Sequence, residues 1–426
     1  NEYGDPQGYF GIEGYFDGDL KGKPGRIIEE QDALGAPILA GGYKKVDSTD
    51  GSSIVLTINR AVQYLVESRL SESVEKYGAK SGSVIVMDPF SGDVIAMANY
   101  PTYDPANFND FGGGASEVDA LGKTNDESDS TNNLLKKVER TNLAISQTYE
   151  PGSVIKGLTV SSAVDLGIVS PDTTFVDAGP VQYSDYVIDN WDSVHHGVQT
   201  IVQLLQKSNN IGAAWVGHKV GAKNLSKYFK SFGLGEKTNI DLEGEDTGII
   251  RDYSTWTDID IATVAFGQGI SATPLQVLNG FNAIANGGRV MRPRIVKTIV
   301  DGDKVIEMPV TFEREVISKK TSDTMIDMLT KAVSGGESRY FNIKNYNIAG
   351  KTGTAQIPEK GTYNPNKTNA TFVGFLSTSK RFSIIVKLEE PQSSIYAAET
   401  AAPLFMRITE DLVKYYGIPP DKDPTI

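Results

Sequence analysis

Apolar residues recur three and four positions apart in several long segments of the chain, which is the spacing of one face of an α-helix. The clearest segment is residues 60–77, where this spacing predicts an amphipathic helix. The same pattern predicts further helices at about 134–169, 199–217, 222–232, 273–286, 319–334 and 398–416. Most of the predicted helical structure therefore lies in the middle of the chain.

Short apolar or alternating runs predict strands on both sides of this helical middle. These runs cover residues 53–59, 83–87, 94–97, 294–310, 346–354, 370–376 and 382–388. The pattern predicts an α+β fold, with an antiparallel sheet flanked by helices and by a helical subdomain. Residues 1–50 are expected to be irregular or to form short strands, and the polar residues 109–133 are expected to be a mobile insertion.

The composition is that of a folded globular protein, with 39% hydrophobic and 22% charged residues in a chain of 426. This length predicts two or three domains, or one large core with insertions. The net charge of −13 argues against nucleic-acid binding by phosphate neutralisation. The sequence has no run of about 18 or more apolar residues, so we expect no membrane anchor within this chain.

The scarcity of histidine and cysteine restricts the possible catalytic chemistry. The chain has no cysteine, which excludes disulfides, thiol nucleophiles and cysteine-based metal sites. Its three histidines, His195, His196 and His218, are too few and too poorly placed to favour a Ser-His-Asp hydrolase or a histidine-rich metal centre. We therefore expect an acyl-transfer enzyme of this composition to use a base other than histidine.

A serine paired with a lysine base can supply the same chemistry. The pattern Ser-x-x-Lys places both side chains on one face of a helix, and a desolvated lysine can accept the hydroxyl proton. The pattern occurs at Ser73–Lys76, Ser153–Lys156 and Ser377–Lys380. The first and third pairs lie in charged or polar stretches and are expected to be solvated. Ser153 instead follows Pro-Gly and precedes an apolar helix, so it is predicted to lie in the first helical turn, where free N–H groups favour negative charge.

Two further motifs follow the central pair in the sequence. Ser208-Asn209-Asn210 supplies a hydroxyl that could relay a proton and an amide that could hold a substrate carbonyl. Lys351-Thr-Gly-Thr354 lies on a predicted strand, where the glycine allows a substrate backbone to approach closely. Each motif is weak alone. The order Ser-Lys, Ser-Asn, Lys-Thr-Gly is far more specific.

These motifs resemble those of the penicillin-recognising serine acyl-enzyme superfamily. The surrounding sequence is similar to class B penicillin-binding proteins, the peptidoglycan D,D-transpeptidases. The similar stretches are GIEGYFDGDLKGKPG (11–25), SIVLTINRAVQ (53–63), SGSVIVMDPFSGDVIAMANYPTYDPANF (81–108), TYEPGSVIK (148–156), FGQGISATPLQ (266–276) and FVGFLSTS (372–379). The resemblance implies a remnant of an N-terminal pedestal domain at residues 1–52 and a transpeptidase domain at 53–426.

The resemblance also implies a role for each residue of the first two motifs. Ser153 is expected to attack the carbonyl of the penultimate D-Ala of a stem pentapeptide, so that the terminal D-Ala leaves. Lys156 is expected to be the base for Ser153. Ser208 is expected to pass a proton, and Asn210 to orient the substrate amide and Lys156.

The third motif is expected to bind the substrate. The resemblance implies that Lys351 and Thr352 shape the electrostatics of the pocket beside Gly353, and that Thr354 contacts the terminal carboxylate of the peptide or of a β-lactam. The backbone N–H groups of Ser153 and Thr354 are expected to form the oxyanion hole. The two lysines of the first and third motifs should make the cleft locally positive. No metal or organic cofactor is expected.

The resemblance further implies partners and a location. The expected ligands are peptidoglycan stem peptides and β-lactams, and the expected partners are a membrane glycosyltransferase and proteins of cell division or elongation. The expected location is the extracytoplasmic face of the bacterial cytoplasmic membrane. Two alternatives stay open: a D,D-carboxypeptidase, in which water replaces the acceptor amine, and a β-lactam-binding sensor or scaffold with weak catalysis.

Overall fold

The computed structural model describes residues 7–8, 10–38, 42–104, 141–183, 185–341, 343–359 and 361–421. The segment predicted to be a mobile insertion, 109–133, lies outside these residues. The helices are α1 (Gly11–Tyr15), α2 (Asp17–Leu20), α3 (Arg60–Tyr77), α4 (Leu143–Ser146), α5 (Ile155–Asp165), α6 (Ile201–Gln206), α7 (Asn210–Val220), α8 (Ala222–Ser231), α9 (Asp258–Val264), α10 (Pro274–Ala285), α11 (Lys319–Gly335) and α12 (Ala401–Tyr415).

The strands are β1 (Arg26–Glu29), β2 (Tyr43–Val46), β3 (Ser53–Leu56), β4 (Ser81–Met87), β5 (Val94–Tyr100), β6 (Thr174–Asp177), β7 (Val181–Tyr183), β8 (Tyr186–Ile188), β9 (Gly197–Thr200), β10 (Arg289–Met291), β11 (Val296–Asp301), β12 (Lys304–Glu307), β13 (Phe312–Glu315), β14 (Ile348–Glu359), β15 (Thr362–Leu376) and β16 (Ser383–Glu389). Short 3₁₀ turns cover Gly152–Val154, Tyr253–Thr255 and Glu337–Phe341. The mixture of helices and antiparallel strands confirms the predicted α+β class.

A five-stranded antiparallel sheet forms the centre of the molecule, in the order β14-β15-β16-β4-β5. Every residue of β4 and β16 is buried, which accounts for the apolar runs at 84–87 and 384–386. Alternate residues of β16 face two different cores. Ile385 belongs to the core shared with the helical region, and Val386 belongs to the core beneath α3 and α12. The sheet is thus covered on both faces, as predicted.

The helical region is built around α5 and α10. All twelve residues of α10 are buried, as are the nine consecutive residues from Ile155 to Ala163 in α5. Gly157 makes their close packing possible, because a Cβ at this position would lie 2.9 Å from Cζ of Phe281. The helix that carries the first motif is therefore held rigidly inside the larger core.

The predicted helix at 199–217 is wrong in one respect, since the structure divides it into α6 and α7. The break falls at Ser208, whose φ of 51° lies in the left-handed region that ends a right-handed helix. Asn209 then starts α7, because its side-chain oxygen accepts a hydrogen bond from the N–H of Gly212 at 2.7 Å. The break places the second motif in a turn between two helices. We call residues 208–210 the Ser-Asn-Asn turn.

The N-terminal residues are more helical than predicted. The short helices α1 and α2 enclose Phe16, which is buried in the larger core, whereas the β1–β2 hairpin is mostly exposed. The division at residue 52 remains a prediction. Within the described part of the chain, no helix combines the length and the apolar character needed to cross a bilayer.

Candidate active site

A tight turn presents the serine of the first motif. We call residues 151–154 the nucleophile turn. Gly152 has a φ of 59°, which glycine adopts without strain, and its N–H donates to the carbonyl of Gly267 at 3.0 Å. The turn continues directly into α5, as predicted from the Pro-Gly sequence. Ser153 is partly exposed, whereas its neighbours Gly152 and Val154 are buried. The turn therefore directs the hydroxyl of Ser153 towards a cleft.

Lys156 connects the first motif to the second. Its side chain is fully buried, and Nζ donates to the main-chain oxygen of Ser208 at 2.5 Å and to Oδ1 of Asn210 at 2.7 Å. Nζ also lies 3.4 Å from Oγ of Ser208. Oγ of Ser153 makes no hydrogen bond to any residue that the structure describes. The Lys156 amino group is thus held by the Ser-Asn-Asn turn, one helical turn from Ser153.

Lys351 approaches Ser208 from the central sheet. Its side chain is buried, and Nζ lies 3.0 Å from Oγ of Ser208 and 3.2 Å from Oγ1 of Thr352. The hydroxyl of Ser208 consequently lies between the amino groups of Lys156 and Lys351. The structure therefore brings all three motifs together around Ser208.

Burial lowers the pKa of both lysines. The loss of water lowers the pKa of Lys156 well below its usual value, and the nearby Lys351 ammonium lowers it further, while Glu337 opposes the shift. Burial lowers the pKa of Lys351 to about 8, again opposed by Glu337. A lysine with a lowered pKa can be neutral near physiological pH and can then accept a proton. Lys156 therefore loses its proton more readily than an ordinary lysine, since the charge of Lys351 adds to the effect of burial.

The third motif lies on β14, an edge strand of the central sheet. Gly353 packs on the nucleophile turn, because a Cβ there would lie 2.8 Å from the carbonyl oxygen of Pro151. Oγ1 of Thr354 accepts a hydrogen bond from the N–H of Ala397 at 3.0 Å, so its own O–H remains a donor. An edge strand also leaves alternate N–H groups unpaired, as the expected oxyanion hole requires.

The motifs surround a cleft of about 720 Å³. Its lining includes Ser153, Ser208, Asn210, Thr352 and Thr354. The two lysines lie behind this lining and reach the cleft only through the groups that they contact. The volume is within the range of small-molecule and peptide sites.

The other two Ser-x-x-Lys pairs lie elsewhere. Ser73 is on α3 and is buried, with only 1% of its surface exposed, so the prediction that it is solvated is wrong. It packs on the face of α3 that covers the sheet, while Lys76 is exposed and lies 4.9 Å from the ring centroid of Tyr77. Ser377 and Lys380 lie in the turn between β15 and β16. Neither pair lines the cleft.

Several residues of the site were not predicted from the sequence. Glu337 lines the cleft and accepts a hydrogen bond from Oγ1 of Thr352 at 3.3 Å. Its carboxylate partly offsets the positive charge expected of the cleft. Trp191 and Tyr396, whose ring centroids lie 5.4 Å apart, contact each other across the cleft lining. None of the three belongs to a motif, and only the folded chain brings them to the site.

Comparisons with known proteins agree with this geometry. Residues 82–410 match the family model described as the penicillin-binding protein transpeptidase domain. The chain is 32% identical to stage V sporulation protein D of Bacillus subtilis (strain 168), over 98% of this chain and 62% of that protein. It is 31% identical to peptidoglycan D,D-transpeptidase FtsI of Buchnera aphidicola, over 98% of this chain and 68% of that protein.

Solved structures show the same likeness. Penicillin-binding protein 3 of Mycobacterium tuberculosis, complexed with aztreonam, superposes with a TM-score of 0.76 at 29% identity, covering 93% of this chain and 89% of that one. The chain spans 60% to 63% of the length of the first three curated relatives that it matches. By its motifs, its fold and these matches, the chain belongs to the penicillin-binding protein transpeptidase family, in class B.

Proposed function

We propose that this protein is a peptidoglycan D,D-transpeptidase that works through an acyl-enzyme on Ser153 and is a target of β-lactams. One observation supports this proposal above the others. The hydroxyl of Ser208 lies 3.4 Å from Nζ of Lys156 and 3.0 Å from Nζ of Lys351. This arrangement gives the nucleophile turn a base and a route for the proton, which a serine acyl transfer needs in the absence of histidine.

In the first half-reaction, Oγ of Ser153 attacks the carbonyl carbon of the penultimate D-Ala. Neutral Lys156 accepts the hydroxyl proton as the new C–O bond forms. The C–N bond to the terminal D-Ala then breaks. The leaving amine takes a proton through the hydroxyl of Ser208, which leaves an ester on Ser153.

In the second half-reaction, an amine from a neighbouring stem peptide attacks the ester. Its proton passes through the hydroxyl of Ser208 to Lys156, the C–O bond to Ser153 breaks as Lys156 returns the proton to Oγ of Ser153, and the new amide bond is the cross-link. Asn210 orients both Lys156 and the substrate amide in each half-reaction. No metal or organic cofactor takes part in either step.

The sheet supplies binding and charge stabilisation. The N–H groups of Ser153 and Thr354 stabilise the oxyanion of each tetrahedral intermediate. The hydroxyl of Thr354 binds the terminal carboxylate, and Lys351 supplies a positive charge when it is protonated. Gly353 keeps β14 close to the nucleophile turn. A β-lactam carries an equivalent carboxylate and acyl group, so it acylates the same serine.

Location and partners follow from this substrate. Peptidoglycan is assembled outside the cytoplasmic membrane, so the domain at 53–426 is proposed to work at the extracytoplasmic face of that membrane, with residues 1–52 belonging to a pedestal. A membrane glycosyltransferase would supply glycan strands to the same process, with division or elongation proteins directing it.

Turnover of a synthetic stem pentapeptide tests this function. The peptide ends in D-Ala-D-Ala and is incubated with and without an amine acceptor, and the products are measured by mass spectrometry. We expect loss of D-Ala together with a new amide to the acceptor, both abolished in Ser153→Ala. Release of D-Ala without acceptor transfer would instead indicate a carboxypeptidase. Acylation without any turnover would indicate a sensor.

A further inference from the structure

A buried carboxylate outside the three motifs contacts the Ser-Asn-Asn turn. Asp177 ends β6, and its side chain has 0% of its surface exposed. Its Oδ2 accepts hydrogen bonds from Nδ2 of Asn209 at 2.7 Å, from Nδ2 of Asn190 at 3.0 Å and from the N–H of His196 at 3.2 Å. Its Oδ1 lies 3.2 Å from Nδ1 of His195. Four donor groups thus surround one carboxylate.

Both amides held by Asp177 are attached to the turn. Asn209 belongs to it, and Oδ1 of Asn209 caps α7 through the N–H of Gly212 at 2.7 Å. Asn190 lies outside it, and Oδ1 of Asn190 accepts from the N–H of Asn210 at 3.0 Å. The carboxylate therefore fixes the orientation of both side-chain amides, with the oxygen of each directed to a backbone N–H group. With the amide nitrogens on Asp177, only the oxygens remain to receive backbone N–H groups.

The turn needs such support because its backbone is in an unfavourable conformation. Ser208 has a φ of 51°, which a residue with a Cβ adopts only when its surroundings impose it. The carbonyl of this same residue accepts from Lys156 at 2.5 Å. If the turn relaxed, the lysine would lose both this carbonyl and Oδ1 of Asn210.

We propose that Asp177 is a positioning residue for acylation, which holds the Ser-Asn-Asn turn in the conformation that keeps Lys156 and Ser208 in place. The inference rests on the proposed acyl-enzyme mechanism and adds to it a residue that touches neither substrate nor nucleophile. Its action passes through Asn190 and Asn209.

The position holds an acceptor that carries a negative charge. Burial raises the pKa of the Asp177 carboxyl, but the hydrogen bonds from His196, Asn209, His195 and Asn190 lower it below its usual value overall, so the group is ionised at neutral pH. An amide in its place would be uncharged, so its oxygen would accept weaker hydrogen bonds, and its NH2 group would face either His195 or the three donors now on Oδ2. Asp177→Asn is therefore a change of hydrogen-bonding character with little change of shape.

The test compares Asp177→Asn with Glu245→Gln in the full chain. Glu245 is a matched control, since it is also a buried carboxylate and accepts from the N–H of Thr238 at 2.6 Å and from the N–H of Asn239 at 3.1 Å, away from the cleft. The rate constant of acylation by a labelled penicillin is measured at several pH values and is normalised to the fraction of protein that can be labelled. The melting temperature is measured for each variant.

We expect Asp177→Asn to acylate at least about tenfold more slowly than the wild type, and Glu245→Gln to acylate at the wild-type rate. We also expect the acid limb of the pH profile to move to lower pH in Asp177→Asn, because an ammonium that loses two acceptors is less stable and Lys156 becomes easier to deprotonate. A purely structural role would lower the labelled fraction or the melting temperature and leave that limb in place.

The outcomes separate this proposal from the mechanism on which it rests. If the wild type is not acylated, the proposed function itself is wrong. If the wild type is acylated and Asp177→Asn reacts at the same rate with the same pH profile, only the positioning role is wrong. Should Asp177→Asn fail to fold, Asn190→Ala removes one of the two connections to the turn, and an unchanged rate in that variant would overturn the proposal.

Discussion

The Nζ atom of Lys156 donates a hydrogen bond of 2.5 Å to the main-chain oxygen of Ser208, which joins the first motif to the second. A main-chain acceptor has a fixed position once the turn that carries it is fixed. The lysine is therefore oriented by backbone geometry, and the Ser153 hydroxyl remains free to move towards a substrate carbonyl. Four predictions follow from this arrangement and from the packing around it.

Replacing Lys156 by methionine should remove the base while retaining a side chain of similar length in a buried position. We expect the acylation rate to fall by about 10²- to 10⁴-fold, the range for loss of a general base. The rate is measured by intact mass after timed incubation with a penicillin. Lys76→Met is the matched control, since Lys76 belongs to the Ser-x-x-Lys pair on α3 and is exposed. Equal rates in the two variants would contradict the assignment of the base.

Acylation by a penicillin that carries a carboxylate should decrease above about pH 8, where Lys351 loses its proton. The sign follows from the charge, because a neutral Lys351 no longer attracts the carboxylate. Lys351→Arg should keep the charge and move this basic limb to higher pH. The acylation rate constant of each protein is measured between pH 6 and 10 in steps of ~0.5 pH unit, which locates the basic limb of each profile. A basic limb at the same pH in Lys351→Arg would show that another group causes it.

Glu337→Gln should move the same basic limb to lower pH. The Glu337 carboxylate raises the pKa of Lys351 and so opposes the effect of burial. Without this negative charge, burial lowers the pKa of Lys351 further. The amide oxygen of glutamine can still accept from Oγ1 of Thr352, which keeps the local geometry. Glu75→Gln on the exposed surface of α3 serves as the control and should leave the profile unchanged. A limb that stays at the wild-type pH in both variants would argue against an electrostatic role for Glu337.

Gly353→Ala should impair both packing and reaction. A Cβ at this position would lie 2.8 Å from the carbonyl oxygen of Pro151 and 2.9 Å from Cγ1 of Val154, so β14 and the nucleophile turn must separate. We expect a loss of about 10²-fold in acylation rate, because displacements of ~1 Å have this effect on aligned reacting groups. Gly18→Ala is the control, since no atom lies within 4 Å of a Cβ built there. A wild-type rate in Gly353→Ala would show that this close approach is not needed.

Helices and strands could be predicted from the sequence where an element buries one face, or all of its residues, with apolar side chains. Helix α3 has the bounds predicted from its spacing, with Asn59 capping its start and Gly78 ending it in the left-handed conformation. Strands β4 and β16 are buried on both faces and were found from their apolar runs. By contrast, β6 and β9 expose Val176 and Val198 and bury Asp177 and Gln199, so their apolar positions do not mark the buried face.

The site could be predicted only as far as its motifs extend. The three motifs meet at Ser208. The break at Ser208 was missed because its positive φ depends on tertiary hydrogen bonds and not on a glycine in the sequence. Glu337 and Asp177 were missed for a similar reason, since each contacts the motifs through a fold that places distant segments together.

The most direct test of the central claim is the mass of the protein after incubation with a labelled penicillin, followed by peptide mapping. We predict one adduct per chain, on the peptide that contains Ser153, and no adduct in a folded Ser153→Ala variant. An adduct on any other residue, or no adduct in a folded wild-type sample, would contradict the assignment of Ser153 as the acylated nucleophile.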